Sequence, residues 1–296
     1  MSKNIVVTGS SGFIGRKVMA SLTQQGLEST GIDLVKTNEN KFKEVETEFF
    51  DDAIGDMLNK DSTVIHLAAI STDSESKKSP SKAIETNILG TEKLLATCKE
   101  KQISKFIFAS SEWVYPETKT IVPQYETDLL SASNLNSVYA ITKLVSEDLI
   151  RVNAENLDYT ILRFGIVYGP RTTPGSSLEN LALKVWKNEK IEIGSKLTSR
   201  NFVHVDDLVS GIIQSIKFSK RKETYNLSGE EPISLGQIID TTCKIYNQKA
   251  TVIENSKFPS IRNPINDKAK IDLNWKPKIS LVDGLSFCLK SMTGEA

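Results

Sequence analysis

The chain has 296 residues, 39% of them hydrophobic, and its 37 lysine and arginine residues equal its 37 aspartate and glutamate residues in number. A chain of this length can bury a sizeable core as one large domain or two closely joined domains, and its balanced charge does not indicate nucleic acid or an anionic membrane as a partner. Because no apolar run approaches the ~20 residues of a membrane span, and the N-terminal run is too short for a signal peptide, we expect a protein of the cytoplasm.

The first predicted element is an apolar strand, Ile5 to Thr8, which runs into three glycines spaced by three and then into a helix. In a dinucleotide-binding loop the first glycine permits the tight turn, the second lets the backbone approach the pyrophosphate, and the third lets the helix pack on the strand. The glycines are part of an ordered series: a strand, the glycines, a helix, a second strand and a terminal acid. An ordinary glycine-rich turn does not predict this order. The residues expected to contact the cofactor here are Gly9, Ser11, Gly12, Phe13, Ile14 and Gly15.

Asp33 ends the second predicted strand, Ser29 to Asp33, roughly 20 residues after the glycines. A carboxylate at this place can accept hydrogen bonds from the adenosine ribose and repels a 2′-phosphate. Since no basic residue directly follows Gly9 to offset that repulsion, the sequence favours NAD over NADP.

Short β-branched runs continue to alternate with helical segments along the first half of the chain. This alternation predicts parallel strands joined by right-handed crossovers, hence an α/β, doubly wound (Rossmann) sheet. Ligands bind at the carboxyl ends of such strands, and Gly9, Asp33, Ala68 and Ser111 all fall there. The further elements predicted are strands over Val64 to Leu67, Phe106 to Ser110 and Tyr159 to Arg163, and a helix over Lys82 to Lys101.

The pattern becomes irregular after Gly169, with a loop over 172–177 and a helix over 178–188. A helix over Asp206 to Phe218 is expected to return to the nucleotide-binding domain, and prolines interrupt the chain from Asn226 onward. We therefore expect an NAD-binding Rossmann domain over residues 1–166, joined by the helix 205–219. A smaller mixed α/β lobe that binds substrate is expected over 167–204 and 224–296.

Tyr139 and Lys143 lie four residues apart in a predicted helix, Asn136 to Asn153, and so share one face. A tyrosine that acts as a base at neutral pH needs its pKa lowered by about three units, or roughly 4 kcal/mol. An ammonium about 4 Å away contributes on the order of 4 kcal/mol at an effective dielectric constant near 20. The pair therefore predicts a tyrosine base whose pKa is lowered by the lysine.

Together these motifs resemble the extended branch of the short-chain dehydrogenase/reductase superfamily, the NAD-dependent nucleotide-sugar epimerases and dehydratases. The resemblance covers nearly the whole chain. Its further blocks are His66–Ala69, Asn87–Thr91, Ser110–Tyr115, Arg163–Arg171, Arg200–Asp207 and Leu273–Pro277.

The resemblance implies roles for residues in the cofactor site. It makes Tyr139 the base, has Lys143 hold the nicotinamide ribose, and has Ser111 hydrogen-bond the reacting oxygen. Asp51 or Asp52, after an expected strand over Glu48 to Phe50, resembles the contact to adenine. The other implied cofactor contacts are Leu67, Ala68, Ala69, Asn87, Ser110 and Ile166, together with Tyr139 and Lys143.

For the sugar nucleotide, Arg200 resembles an arginine that holds the diphosphate, a task that suits the planar fork of a guanidinium. Arg171 and Arg262 are weaker candidates for the same task, and the alternative for each of the three is a solvated surface charge. Ser111 and Glu112 are further candidates for substrate contact.

The chain departs from the family in two places. The dehydratases usually carry Thr-Asp-Glu where this chain has Ser111, Glu112 and Trp113, and Trp113 cannot abstract a proton. Dehydration is therefore disfavoured, although Glu112 remains available as a lone acid. Many 4-epimerases have an asparagine where this chain has Ile166, which leaves the sugar harder to name.

We therefore expect an NAD-dependent epimerase of a nucleotide-diphosphate sugar, most plausibly a UDP-hexose, acting at C4 through a transient 4-keto sugar. The alternatives are a nucleotide-sugar 4-reductase or dehydrogenase, a dehydratase, and a non-enzymatic NAD-sensing protein on the same fold. The family also implies a homodimer formed by the helices over 82–101 and 136–153.

The remaining candidates for special chemistry are the cysteines and histidines. Cys98, Cys243 and Cys288 are odd in number and widely scattered, and no Cys-x-x-Cys occurs. His66 and His204 each lie in a predicted strand. We expect buried thiols and packed imidazoles, and neither a disulfide framework nor a metal site.

Overall fold

The computed structural model describes residues 4–37 and 42–294, and no helix in these two ranges has both the length and the apolar composition needed to cross a membrane. The strands are β1 Ile5–Thr8, β2 Ser29–Asp33, β3 Lys43–Glu46, β4 Thr63–His66, β5 Lys105–Ser111, β6 Tyr159–Phe164, β7 Ile166–Tyr168, β8 Ile191–Ile193, β9 Ser199–Arg200, β10 Phe202–His204, β11 Glu223–Leu227, β12 Ile233–Ser234 and β13 Val252–Glu254. The α-helices are α1 Phe13–Gln24, α2 Asp73–Lys78, α3 Pro80–Ile84, α4 Thr91–Glu100, α5 Val138–Asn153, α6 Ser177–Trp186, α7 Val205–Phe218, α8 Leu235–Tyr246, α9 Asp267–Asp272 and α10 Leu281–Thr293.

Seven parallel strands form the central sheet in the order β11-β6-β5-β4-β1-β2-β3. Helices cover both faces, as the alternation of side chains along each strand requires. In β1, Val7 packs with α1 and α7 on one face, whereas Val6 packs with α4 and the end of α5 on the other. This arrangement confirms the predicted doubly wound sheet. Strands β2 and β3 are added on one side of β1, and β4, β5, β6 and β11 on the other. A crevice opens where the strand order reverses in this way, here between β1 and β4.

The smaller lobe has its own apolar core, built from α6, α8 and α10 around β8 and Phe202. Its strands form two-stranded sheets, in which β10 pairs with β7, β12 with β9, and β13 with β8.

The structure differs from the predicted boundary of this lobe at residue 224. Strand β11 pairs with β6 in the central sheet, and Tyr225 is fully buried there. The strand follows α7, which packs on α1, so it completes one more parallel crossover. Trp275 also belongs to the core beneath α7, and its indole N–H donates to the Asp207 carbonyl at 2.8 Å. The first three residues of the predicted 1–166 unit, and residues 38–41 within it, lie outside the described ranges.

One local prediction was wrong. The predicted strand over Glu48 to Phe50 lies earlier, at Lys43–Glu46, and Phe49 is instead buried in the core beside Gly90. The predicted helix over Lys82 to Lys101 forms, with a π-helical turn, Glu85–Gly90, between α3 and α4. Such turns often mark functional positions.

Helix α5 is joined to the sheet by a buried ion pair. The Glu147 carboxylate accepts hydrogen bonds from Arg163 of β6 at 2.7 and 3.0 Å and from the Ser110 hydroxyl of β5. Arg163 also donates to the Tyr115 hydroxyl at 2.9 Å, and Tyr115 donates to Asn226. Burial opposes ionisation of Glu147, but the charge and hydrogen bonds of Arg163 outweigh it and hold the pKa of the carboxyl below its usual value.

Glu147→Gln is expected to lower the free energy of unfolding by about 3–5 kcal/mol, because it leaves the buried Arg163 charge uncompensated. Urea unfolding measures the loss. The matched control is Asp148→Asn, which removes the neighbouring, mostly exposed carboxylate paired with Arg151 and should cost less than about 1 kcal/mol. Equal losses in the two variants would show that the buried pair contributes nothing special.

Candidate active site

A cavity of about 1160 Å³ opens at the carboxyl ends of β1, β2, β4 and β5. Most residues that the sequence assigned to the cofactor and to catalysis line this one space. They are Gly9, Ser11, Gly12, Phe13, Ile14, Gly15, Asp33, Leu67, Ala68, Ala69, Ser110, Ser111, Tyr139, Lys143 and Ile166, together with Arg171.

The glycine loop is shaped so that only glycine fits at its first and last positions. Gly9 has φ +73°, and a Cβ there would lie 2.7 Å from the Ala68 nitrogen. At Gly15 a Cβ would lie 2.0 Å from the Gly9 carbonyl oxygen. Helix α1 begins after Gly12 with no side-chain cap and no acidic residue in its first turn, so its N-terminal N–H groups suit the phosphates of a dinucleotide.

Asp33 is fixed at the mouth of this loop. Its Oδ2 accepts a hydrogen bond from the Ser11 N–H at 2.9 Å, and its Oδ1 accepts one from the Leu34 N–H at 2.8 Å. A carboxylate has about four lone-pair directions, so both oxygens keep acceptor capacity for ribose hydroxyls. The chemistry of this loop fits NAD.

Ser111, Tyr139 and Lys143 meet at the other end of the cavity. Ser111 ends β5, and Tyr139 and Lys143 face it from the first turns of α5, whose N-cap Ser137 accepts the Ala140 N–H. The Lys143 ammonium donates to the Ala109 carbonyl at 2.8 Å and lies 6.0 Å from the centre of the Tyr139 ring. Burial removes all three side chains almost entirely from solvent.

The structure reverses the pKa expected for the tyrosine from the sequence. Burial raises the pKa of Tyr139 to about 12, and a hydrogen bond with Ser111 only partly opposes it. Burial also lowers the pKa of Lys143 to about 7, against the opposing charge of Glu147. The reason is desolvation, which disfavours both the phenolate and the ammonium at these buried positions.

Glu112, Arg200 and Arg262 are not among the residues that line the cavity. They form a cluster beside it with Glu117, and the Arg262 guanidinium lies 4.7 Å from the centre of the Trp113 ring. Trp113 itself lines the cavity, with its ring edge-on to Tyr139 at 6.2 Å. The indole thus lies between the cluster and Tyr139.

Arg171 lies near the glycine loop. Its guanidinium stacks 3.6 Å from the centre of the Phe13 ring and pairs with the buried Glu179 at 2.9 Å. Glu179 also accepts the N–H groups of Gly169 and Gly175, which fixes the loop over the cavity.

Three other predicted cofactor contacts lie off the cavity. Asn87 is buried in the π-helical turn. Its side-chain oxygen accepts a hydrogen bond from the Ile70 N–H, and its amide nitrogen donates to the Ile70 carbonyl and to the Thr142 hydroxyl. It therefore connects the cavity wall at Ile70 to α5. Asp51 caps the 3-10 turn that follows it by accepting the Ala53 N–H, and Asp52 is exposed.

The histidines are packed, as expected. His66 lies between the hydroxyls of Thr8 and Thr91 at 2.7 and 3.0 Å, and burial lowers its pKa to about 3. His204 is buried, and its Nδ1 accepts the Asp206 N–H. Over the described part of the chain, no three histidine, cysteine, aspartate or glutamate side chains come together as a metal-binding group.

Several residues that hold the site together are not among those predicted from the sequence, although each carries a recognisable signal. Glu147 lies four residues beyond Lys143 and so continues the face that carries Tyr139 and Lys143. Ser176 and Glu179 form a capping box at the start of α6. For Trp113 the sequence predicts the loss of a dehydratase acid but not its place on the cavity wall.

Comparisons with known proteins agree with this geometry. The family described as "NAD dependent epimerase/dehydratase family" matches residues 5–228. A UDP-glucuronate 4-epimerase of Thermodesulfobacterium geofontis is 31% identical over 95% of this chain and 93% of its own length. The structure of a UDP-glucuronic acid 4-epimerase mutant from Bacillus cereus, with a fluorinated UDP-sugar and NAD, has a TM-score of 0.86 at 28% identity and covers 98% of this chain and 99% of its own. A UDP-glucose 4-epimerase of Thermotoga maritima with UDP-glucose has a TM-score of 0.85 at 27% identity, with the same coverage.

The position of Asp33 predicts that NAD binds much more tightly than NADP. Calorimetric titration of the two dinucleotides compares their affinities directly. Asp33→Ala should narrow the difference, because it removes the charge that repels a 2′-phosphate along with the acceptors for the ribose. Equal affinities of the unaltered protein for NAD and NADP would contradict the assignment of Asp33 to the ribose.

Proposed function

Because this chain belongs to the NAD-dependent epimerase/dehydratase family, we propose that it is a 4-epimerase of a UDP-hexose. The observation that carries this proposal is the meeting of Ser111, Tyr139 and Lys143 in the same cavity as the glycine loop. The UDP-sugar 4-epimerases to which the chain is similar in sequence and in structure support the same activity.

In the proposed reaction, the Tyr139 oxygen removes the proton of the C4 hydroxyl, and Ser111 donates a hydrogen bond to the same sugar oxygen. NAD, held by the glycine loop, Asp33 and Lys143, would supply an acceptor and donor for the C4 hydride and a positive charge for this end of the cavity. Lys143 holds the ribose on that side, and its anchor at the Ala109 carbonyl keeps it from moving away. Tyr139 returns the proton after the 4-keto sugar has turned, so the reaction has no net redox change.

The charges explain why the base would work only in the assembled site. Burial holds the pKa of Tyr139 at about 12 and that of Lys143 at about 7, so the phenolate is not formed in advance. A positive charge beside the phenol favours its ionisation. Tyr139 therefore loses its own proton to solvent as the positively charged cofactor binds, and the phenolate left behind is the base that takes the proton of the C4 hydroxyl.

Dehydration fits this site less well than epimerisation. Trp113 stands on the cavity wall beside Tyr139 and has no acid or base function. Glu112 is fully buried behind that wall. A 4-reductase or dehydrogenase would use the same three residues and would differ by releasing its reduced cofactor.

We also propose a homodimer formed through the segment over 80–100 and helix α5. Ile84, Leu89 and Val152 expose large apolar side chains on these elements, which favours their burial against a second copy. Light scattering should give about twice the monomer mass of 32.8 kDa, and a monomer at micromolar concentration would contradict the proposal.

The three free cysteines support a reducing compartment and hence the cytoplasm.

Tyr139→Phe should lower turnover by orders of magnitude while folding and NAD binding stay nearly unchanged, since it removes the titrating oxygen with little change in volume. Steady-state rates and NAD titration of the same preparation test both parts. Tyr125→Phe is a matched control, because Tyr125 is about half exposed and absent from the cavity wall. Near wild-type turnover in Tyr139→Phe would mean that another group is the base.

The proposed function is tested by the product formed from a UDP-hexose with catalytic NAD. We expect a product of unchanged mass and inverted C4 configuration, with no accumulation of reduced cofactor. A product lighter by one water would show a dehydratase, and stoichiometric release of NADH would show a dehydrogenase. No turnover across UDP-, GDP- and dTDP-sugars would favour an NAD-sensing protein.

A further inference from the structure

Glu112 is a buried carboxylate that the proposed reaction does not use. It is 0% exposed, and within the described residues neither of its oxygens has a hydrogen-bond partner. Its nearest charge is the Arg200 Nε, 3.5 Å from Oε1. A buried carboxylate without hydrogen bonds is costly, and its presence in a folded protein calls for an explanation.

The two arginines near Glu112 also share a second, more exposed carboxylate. Glu117 Oε1 lies 2.8 Å from Arg200 Nη2 and 3.3 Å from Arg262 Nη2, and its side chain is 40% exposed. Arg200 is further held by the carbonyls of Ser199 and Ser260. Arg262 donates to the Tyr115 carbonyl, and its buried Nη1 has no hydrogen-bond partner among residues 4–37 and 42–294.

This cluster is neutral as a whole, with two guanidiniums and two carboxylates, but its two carboxylates are not equivalent. Glu117 can leave toward solvent when another anion approaches the arginines, whereas Glu112 is enclosed and cannot. We propose that Glu112 is a positioning residue for an anion site formed by Arg200 and Arg262, and that it takes up a proton when the diphosphate of a nucleotide sugar binds to them. This inference rests on the proposed function, which supplies the diphosphate.

The electrostatics of the cluster support the proton uptake. Burial raises the pKa of Glu112 to about 7, with the charge of Glu117 adding to the rise and the charges of Arg200 and Arg262 opposing it. Asp73 is a further charge that acts on Arg262. A diphosphate at the arginines adds negative charge next to Glu112 and disfavours its ionised form. The carboxyl is therefore more protonated in the complex than in the free protein near and above neutral pH.

Linkage fixes the sign of the pH dependence. Below about pH 7 Glu112 is protonated in both states, so the Kd is flat. Above that pH the free protein loses the proton, and the Kd rises by up to about tenfold per pH unit until the carboxyl of the complex also ionises. Glu112→Gln imitates the protonated form. It should bind as tightly as wild type at low pH and more tightly than wild type at high pH, whereas a merely structural role would weaken binding at every pH.

The test is calorimetric titration of NAD-loaded protein with UDP-glucose in two buffers of different ionisation enthalpy. The Tyr139→Phe background prevents turnover. In UDP-glucose the β-phosphate is esterified to the sugar, so the ligand has no phosphate ionisation near neutral pH of the kind that free UDP has. We expect the uptake of up to about one proton per site above pH 7, lost in Glu112→Gln and retained in the matched Glu117→Gln variant. Any contribution of Lys143, whose pKa burial lowers to about 7, is common to all three proteins and cancels in the comparison.

The outcomes separate the two proposals. Binding of UDP-glucose without proton uptake, or uptake that persists unchanged in Glu112→Gln, overturns the role of Glu112 and leaves the proposed function intact. If Glu112→Gln does not fold, Glu112→Met takes its place in the comparison, because it also removes the titrating carboxyl and has a similar length. No binding of UDP-glucose at any pH overturns the proposed function and this inference with it.

Discussion

The buried ion pair between Glu147 and Arg163 is the constraint on which the arrangement of the active site depends. Tyr139, Lys143 and Glu147 lie four residues apart on one face of α5, and the last of them is bonded to β6 and to Ser110 of β5. This bonding fixes how far along the helix axis Tyr139 and Lys143 lie relative to the end of β5. Arg163 extends the same constraint to Tyr115, which ends the segment that begins with Ser111. The buried pair thus helps to hold Tyr139 and Lys143 of α5 against the end of β5, where Ser111 lies.

The same burial that fixes these residues also determines their chemistry. Desolvation raises the pKa of Tyr139 and Glu112 and lowers that of Lys143, so burial favours the uncharged form of all three side chains. Each of these groups can change its protonation state when a charged ligand arrives. In the proposed reaction, binding of the cofactor would change the protonation of Tyr139 and Lys143 near Ser111. Binding of the substrate diphosphate to Arg200 and Arg262 would change the protonation of Glu112. Trp113 lies between these two groups of side chains.

Local signals made much of this structure predictable from the sequence. The glycine loop, Asp33 and the Tyr139–Lys143 pair depend on neighbouring residues and on the ends of regular strands, and the structure brings them to one cavity. Local signals do not predict the position of Phe49. Two adjacent apolar residues such as Phe49 and Phe50 have the same sequence pattern in a strand as in a loop that packs beneath a helix. Strand β11 was assigned to the wrong unit because its pairing with β6 connects residues about 60 positions apart in sequence. The pKa of Tyr139 was misjudged because the sequence reports which charges are near but not how deeply they are buried.

The central claim is that one cavity removes a hydride from C4 of the sugar and returns it to the same carbon without exchange. UDP-glucose carrying deuterium at C4 tests this most directly, with mass spectrometry and NMR of the epimerised product. The account predicts that the product retains deuterium at C4 with inverted configuration, because the buried site excludes solvent and the cofactor stays in place during turnover. Loss of the deuterium to solvent, or its appearance in reduced cofactor released from the protein, would contradict it.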